Sequence, residues 1–168
     1  EKFGSYGFVI HEMAEARDTR MGMLALSNQP AHHIPLMYCF AGRHDDAHRI
    51  MVDARDRLFV GGEIGQGYPG DEDNGEMSAW YLFSVIGLYP LVPASGEFVL
   101  IPPLLPRVVL RPEGREEPLV IEATKPGAAH IRSVRIDGAE WNRIAVPAAV
   151  LARARRIEFE LDDEPSGW

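Results

Sequence analysis

This 168-residue chain has one cysteine, no excess of positive charge and no long uninterrupted apolar run. The single cysteine, Cys39, excludes a disulfide within the chain and leaves the redox compartment open. A formal net charge of −8 argues against nucleic acid or an anionic membrane as partner. The longest apolar stretch, Met77 to Val92, is interrupted by Gly87 and Pro90, so we predict no membrane-spanning helix. No signal peptide is evident either.

What remains is an ordinary soluble composition, with 46% apolar and 25% charged residues. A chain of this length can bury a sizeable core. It begins at Glu1 rather than at a methionine and enters helical sequence almost at once. We therefore expect it to be the tail of a longer polypeptide.

The apolar pattern changes near Pro93, from helical spacing before it to alternation after it. This change predicts an α+β chain, with helices in residues 1–93 and an antiparallel β region in residues 94–168. The predicted helices are Tyr6–Arg17, His32–Ala41, Asp45–Phe59, an all-round apolar and hence buried Glu76–Ile86, and a short Val146–Ala154. The predicted strands are Phe98–Ile101, Arg107–Arg111, Leu119–Ala123, Ile131–Ile136 and Arg156–Leu161, with a hairpin turn at Asp137-Gly138.

An acidic loop, residues 70–75, directly precedes the Glu76–Ile86 helix. Asp71 and Asp73 lie two residues apart, so their carboxylates can converge on a cation or act as a base toward water. The alternative is structural, because Asp73 and Glu76 have the spacing of a helix-capping box. An EF-hand is excluded, since Leu82 stands where the twelfth-position glutamate is required. Spacing alone leaves the site and the cap open.

A second polar segment, Asn28-Gln29-Pro30-Ala31-His32-His33, offers side-chain amide oxygens that suit calcium but not zinc. Neighbouring residues on a helix point about 100° apart, so His32 and His33 do not form a zinc pair. We expect one of them to be a hydrogen-bonded core histidine and the other to face a site or solvent. For Asn28 the alternative is an ordinary helix N-cap or turn residue.

Other candidate patterns are weaker. His11 and Glu15 have the spacing of a helix-surface pair, and the HExxH zinc motif is absent. The chain contains neither a P-loop nor a dinucleotide fingerprint. Tyr38, Trp80 and Tyr81 are aromatic residues of the kind that stack on sugars, although at helical spacing such residues more often form core.

Three stretches together resemble the C-terminal portion of glycoside hydrolase family 92, the calcium-dependent exo-acting α-mannosidases. Residues 28–38, Asn-Gln-Pro-Ala-His-His-Ile-Pro-Leu-Met-Tyr, are similar to the Asn-Glu/Gln-Pro-Ser-His-His block of the family. Residues 70–81 are similar to its acidic Gly-Asn/Asp-Glu-Asp signature, which ends in Met-Ser-Ala-Trp-Tyr. Residues 83–90 match the continuation that ends in Tyr-Pro.

The resemblance implies an inverting glycosidase with an (α/α)6 catalytic barrel, preceded by a β-sandwich domain. Its carboxylic acid and base would stand ~6.5–9.5 Å apart. The position that matches the family's base is Asp73, supported by Asp71. Asn28, Gln29 and Asp73 match the Ca²⁺ site, and His32, His33 and Glu72 are expected to contact sugar. The substrates would be glycans with terminal, typically α-1,2-linked, mannose, in a secreted or periplasmic protein.

The same resemblance places the general acid, the sandwich domain and the earlier barrel helices upstream of this chain. We therefore expect the 168 residues alone to be inactive. Two departures from the family pattern are Leu26-Ser27, where the family often has His-Gly, and Glu76, where it has Gln. The competing hypotheses are a non-catalytic carbohydrate-binding or scaffold remnant, in which the acidic loop is only a helix cap, and another (α/α)6 glycosidase.

Overall fold

The computed structural model of the protein describes Arg17, Arg20 and residues 24–60 and 67–168. The predicted first helix, apart from Arg17, lies outside these residues, and so does the predicted pair of His11 and Glu15. Within the described ranges, no helix combines the length and the apolar character needed to cross a bilayer.

Helices dominate the first half of the described chain and strands the second half. The α-helices there are α1 (His44–Leu58), α2 (Glu76–Ile86) and α3 (Ala148–Leu151). Shorter 3₁₀ helices cover Gln29–Ala31, Ile34–Ala41 and Pro93–Ser95. The strands are β1 (Leu88–Tyr89), β2 (Glu97–Leu100), β3 (Arg107–Leu110), β4 (Leu119–Thr124), β5 (His130–Ile136), β6 (Ala139–Glu140), β7 (Ala145–Pro147) and β8 (Arg156–Asp162).

Helices α1 and α2 confirm two predictions to within one residue at each end. Acidic residues occupy the first turn of α1 and arginines its last turn, which complements the helix dipole. Helix α2 ends at Gly87, whose φ of 87° is the left-handed conformation that glycine adopts without strain. The buried residues of this helix are Met77, Trp80, Ser84 and Val85. Leu82, by contrast, is 60% exposed in this chain, so burial of the helix on all sides stays a prediction.

The predicted His32–Ala41 helix is wrong in type. The chain forms two 3₁₀ helices there, with Pro30 and Pro35 each in a first turn and a break between them at His32 and His33. Proline has no N–H and clashes with the preceding turn, so one continuous α-helix cannot pass through Pro35. The predicted end is confirmed, since Gly42 adopts φ 67° directly after the second 3₁₀ helix.

The strands form two sheets, ordered β1-β2-β7 and β3-β4-β8-β5-β6. The prediction of a purely antiparallel region is wrong, because β4 and β8 pair in parallel. The chain passes through β5, β6, β7 and α3 between these two strands, a connection long enough for parallel pairing. The predicted hairpin is confirmed: Asp137 and Gly138, at φ 50° and 82°, connect β5 to β6 as the two residues of a type I′ turn.

The end of the chain contains one further correction. The predicted Val146–Ala154 helix is wrong at its start, because Val146 and Pro147 belong to β7 and only Ala148–Leu151 is helical. Pro147 has an extended backbone, with ψ 141°, so the helix begins after it. The division of the chain into two regions near Pro93 stays a prediction. Strand β1, which precedes Pro93, pairs with β2, which follows it.

Two apolar clusters form the core of the described residues. One lies among the helices and includes Leu26, Leu36, Met51, Trp80 and Ile101. The other lies under the larger sheet and includes Ile121, Ile131, Val134, Ile157 and Phe159. Buried Arg55 of α1 connects the helices to the segment after β2, because its Nη1 donates to the Pro102 carbonyl oxygen at 3.0 Å.

The first turn of α1 is also tied to the sheet. The Asp45 carboxylate accepts hydrogen bonds from His130 Nδ1 on β5 at 2.8 Å and from the Gly167 N–H at 2.9 Å. Partial burial alone would raise the pKa of Asp45, but the hydrogen bonds from Gly167, Ser166 and His130 outweigh it, and the pKa lies below its usual value. These contacts hold the helices and the sheet together.

We expect alanine at Gly87 to be more destabilising than alanine at Gly42. Both glycines have left-handed backbones, which alone costs a non-glycine residue about 1–2 kcal/mol. A Cβ at Gly87 would lie 3.0 Å from the Ile101 carbonyl oxygen, whereas among the described residues a Cβ at Gly42 meets no atom within 4 Å. The crowding should add about 1–3 kcal/mol, measured as a lower melting temperature. Equal melting temperatures of the two variants would contradict this.

Candidate active site

The acidic loop reverses direction immediately before α2. Asp73, Asn74 and Gly75 have φ angles of 52°, 61° and 94°, which are three consecutive left-handed residues. Asp and Asn are among the few non-glycine residues that visit this region, and such strain clusters at functional sites. The turn leaves the side chains of Asp71 and Asp73 exposed to solvent. Two carboxylates are therefore presented at the start of a helix.

The structure brings the two polar segments together. Gln29 Nε2 donates a hydrogen bond to Asp73 Oδ2, although the two residues are 44 positions apart. Asn28 directly precedes Gln29 and has an extended backbone. As the alternative predicts, Asn28 is the N-cap residue of the 3₁₀ helix Gln29–Ala31, and its carbonyl oxygen accepts the Ala31 N–H at 2.8 Å. Its exposed side chain makes no capping hydrogen bond to the described part of the chain. An amide and a carboxylate from separate motifs thus share one site.

The capping-box alternative for Asp73, by contrast, is wrong. The residue at the N-cap of α2 is Gly75, and the Asp73 carboxylate instead receives the hydrogen bond from Gln29. The main chain of Asp73 contacts the helix, where its carbonyl oxygen accepts the Glu76 N–H at 3.3 Å. The side chain of Asp73 is therefore not used to begin the helix, which leaves it available for chemistry.

The two histidines have different environments, as predicted. His32 is partly buried, and its Nε2 lies 3.0 Å from the Leu26 carbonyl oxygen and 3.2 Å from Met77 Sδ. Burial lowers the pKa of His32 below its ordinary value, against the opposing effects of the Leu26 carbonyl and Glu76. His33 is exposed. The sugar contacts predicted for both residues stay predictions, and His33 has the more open side chain.

Trp80 of α2 contacts the Asn28–His33 segment from the core side of the acidic-loop helix. The sequence pattern did not reveal this contact. Its Nε1 donates to the His32 carbonyl oxygen at 3.2 Å, and its ring stacks on Phe59 with centroids 5.2 Å apart. Trp80 is 1% exposed, so it is a core residue and not a sugar-stacking platform. The signal available in sequence was its place in the predicted buried helix.

The residues present fit a hard cation. Asn28 and Gln29 carry amide oxygens and Asp73 a carboxylate, and such oxygen ligands are the ones calcium prefers. In the described ranges, no group of three or more His, Cys, Asp or Glu side chains is arranged to hold a metal. A cation here would therefore depend on the amides, with water or sugar hydroxyls completing the six to eight ligands that calcium takes.

Comparison with known proteins identifies the family. The glycosyl hydrolase family 92 catalytic domain matches residues 5–163. A GH92 α-mannosidase of Bacteroides thetaiotaomicron has a similar structure, with a TM-score of 0.79 at 21% identity, over 87% of this chain and 20% of that one. A GH92 inverting mannosidase of the same organism is 32% identical, with a TM-score of 0.73, over 96% of this chain and 22% of that one.

A curated relative, described as an uncharacterized secreted glycosidase of Arthroderma benhamiae, is 22% identical over 153 residues. The match covers 87% of this chain and 19% of the fungal protein. The chain thus spans about a fifth of the length of these relatives. The family match extends over nearly the whole chain and includes both polar motifs, and the chain belongs to glycosyl hydrolase family 92.

Proposed function

We propose that this chain is part of an exo-acting, inverting, calcium-dependent α-mannosidase that removes terminal, typically α-1,2-linked, mannose from glycans. The observation that carries the proposal is the contact between Gln29 and Asp73, which joins the two motifs of the family in one exposed site. The inverting mannosidase that is 32% identical to this chain supports the stereochemistry. Helices α1 and α2 would belong to an (α/α)6 barrel completed by preceding polypeptide.

In the proposed reaction Asp73 is the base. Its carboxylate removes a proton from a water molecule as that water attacks the anomeric carbon on the face opposite the leaving group. A carboxylic acid from the preceding polypeptide protonates the leaving oxygen, so the glycosidic bond breaks with inversion. Asp71, two residues away in the same loop, is the proposed supporting residue of Asp73. With this division of roles, we expect the acidic loop alone not to suffice for turnover.

Calcium is the proposed cofactor, with Asn28, Gln29 and Asp73 as the residues that would hold it. When bound, the ion would hold two adjacent hydroxyls of the mannose and favour a distorted ring. The hydrogen bond from Gln29 Nε2 turns the amide so that its Nε2 faces Asp73, and the amide oxygen is the atom that would contact the ion. His33, exposed beside this segment, is the proposed sugar contact from the histidine pair.

The experiment that tests the function is proton NMR of the mannose released by the full-length protein from an α-1,2-mannobiose. An inverting enzyme releases β-mannose first, and mutarotation follows. Release of α-mannose first would overturn the inverting mechanism. Absence of release from α-1,2-mannobiose would overturn the proposed linkage, and absence of release from the α-1,3-, α-1,4- and α-1,6-mannobioses as well would overturn the mannosidase assignment. The secreted fungal relative supports secretion of the complete protein, and recovery of activity from the culture medium of the producing organism tests that proposal.

We expect calcium removal to abolish turnover. Dialysis of the full-length enzyme against EGTA should inactivate it, and Ca²⁺ but not Zn²⁺ should restore activity. Gln29→Ala should raise the calcium concentration needed for half-maximal activity by about 10- to 100-fold, the range found when residues supporting a metal ligand are removed. Calorimetric titration with Ca²⁺ measures the same change without substrate. Asn142→Ala, at an exposed amide in another part of the chain, is the matched control.

A further inference from the structure

The first N–H groups of α2 are satisfied by the acidic loop, and Glu72 supplies most of the acceptors. The Glu76 N–H donates to the Asp73 carbonyl oxygen, and the Met77 N–H donates to the Glu72 carbonyl oxygen, both at 3.3 Å. The Ser78 N–H then donates to Glu72 Oε1, also at 3.3 Å. A helix cannot satisfy these N–H groups from within. Glu72 therefore anchors α2 through both its main chain and its side chain.

The Glu72 side chain is folded back under the loop, unlike its exposed neighbours. Its Oε1 lies 3.9 Å from the position that a Cβ on Gly75 would occupy. Its other carboxylate oxygen, Oε2, is buried and has no hydrogen-bond partner among the described residues. Asp71 and Asp73, on either side in sequence, both face solvent. Because Oε1 already accepts the Ser78 N–H, a sugar hydroxyl would compete with that hydrogen bond for Glu72.

The loop that Glu72 anchors carries the proposed base. The left-handed residues 73–75 cost free energy, and such a turn persists only when its surroundings hold it in place. Glu72 directly precedes the turn, and its negative charge is also favourable at the N-terminus of a helix. We infer that Glu72 is a positioning residue, which fixes Asp71 and Asp73 against α2 and does not itself bind sugar. This inference rests on the proposed function.

Kinetics of Glu72→Ala and Glu72→Gln in the full-length enzyme separate positioning from sugar binding. Glutamine retains the Oε1 acceptor, so we expect kcat of that variant within about 3-fold of the wild type. Alanine removes the acceptor, and we expect kcat to fall about 10- to 100-fold with KM changed less than about 3-fold, since small misplacements of reacting groups have effects of this size. Rescue by glutamine would show that the hydrogen bond, and not the charge, is needed.

Glu76→Ala is the matched control, because it removes the same charge from the same helix end at an exposed side chain. Its kinetics should stay within about 2-fold of the wild type. Hydrogen exchange provides a second readout: in Glu72→Ala the N–H groups of residues 76–79 should exchange at least about 10-fold faster, because local opening lowers protection. Glu76→Ala should leave their exchange unchanged.

Two results would overturn the inference. A raised KM with unchanged kcat in both Glu72 variants would make Glu72 a sugar contact. Wild-type kinetics and exchange in Glu72→Ala would show that the loop does not need this side chain. If the wild-type enzyme releases no mannose, the proposed function fails, whereas the exchange experiment still reports whether Glu72 holds the loop.

Discussion

Replacement of Asp73 by asparagine in the full-length enzyme should lower kcat by about 10²–10⁴-fold, the usual contribution of a general base. Asparagine has nearly the same shape but does not accept a proton from water. The Gln29 amide can still donate to the asparagine side-chain oxygen, so the contact between the motifs need not break. The side chain is exposed, and the melting temperature should therefore stay close to that of the wild type. Steady-state mannose release and thermal melting measure the two quantities.

Asp163→Asn is the control for this prediction. It is the same chemical change at a 66% exposed aspartate that pairs with Lys125 at the end of the sheet. We expect Asp163→Asn to have wild-type kinetics, and Asp71→Asn to retain more activity than Asp73→Asn. Near-normal turnover by Asp73→Asn would exclude Asp73 as the base. A greater loss of turnover in Asp71→Asn than in Asp73→Asn would make Asp71 the base and Asp73 its supporting residue.

Local signals explain what the sequence predicted well. Helix α1 has apolar residues at spacings of three and four, and Gly87 and Pro90 determine where α2 ends. The type I′ turn at Asp137-Gly138 is likewise determined by two residues that accept positive φ. In each case the information lies within a few neighbouring residues. These elements could therefore be placed without knowledge of the rest of the fold.

Errors arose where distant parts of the chain decide the structure. Strands β4 and β8 are direct neighbours in the sheet but are separated in the chain by β5, β6, β7 and α3, and alternation within one strand does not show which distant strand it pairs with or in which direction. The capping box failed because the chain adopts left-handed φ at Asp73, which moves the N-cap to Gly75. Two prolines are local signals against the predicted helices: Pro35 lies inside the predicted His32–Ala41 helix and Pro147 inside the predicted Val146–Ala154 helix.

The site was predicted from resemblance more than from spacing. Spacing alone left Asp73 as either a cap or a site residue, and no periodicity relates it to Gln29, which is 44 positions away. The different environments of His32 and His33 followed from helix geometry and are confirmed. The contact of Glu72 with Ser78 could not be predicted, because it exists only when the intervening turn is left-handed.

Replacement of Trp80 by alanine should be the most destabilising change in the helical core, by about 3–5 kcal/mol. The indole is 1% exposed and stacks on Phe59 at an interplanar angle of 7°. Alanine would leave a cavity and would also leave the His32 carbonyl oxygen without its donor. Thermal melting of the full-length protein measures the loss.

Trp80→Phe separates packing from positioning. Phenylalanine retains an aromatic ring against Phe59 but has no N–H for the His32 carbonyl, a loss of about 1 kcal/mol. That carbonyl follows Gln29 by three residues, so a loosened His32 also loosens the amide that contacts Asp73. We therefore expect Trp80→Phe to raise the calcium requirement more than its small change in melting temperature would indicate. The contrary outcome is a wild-type calcium requirement in Trp80→Phe together with a strongly lowered melting temperature in Trp80→Ala. Trp80 would then contribute only to core packing, and the contact between Gln29 and Asp73 would not depend on its N–H.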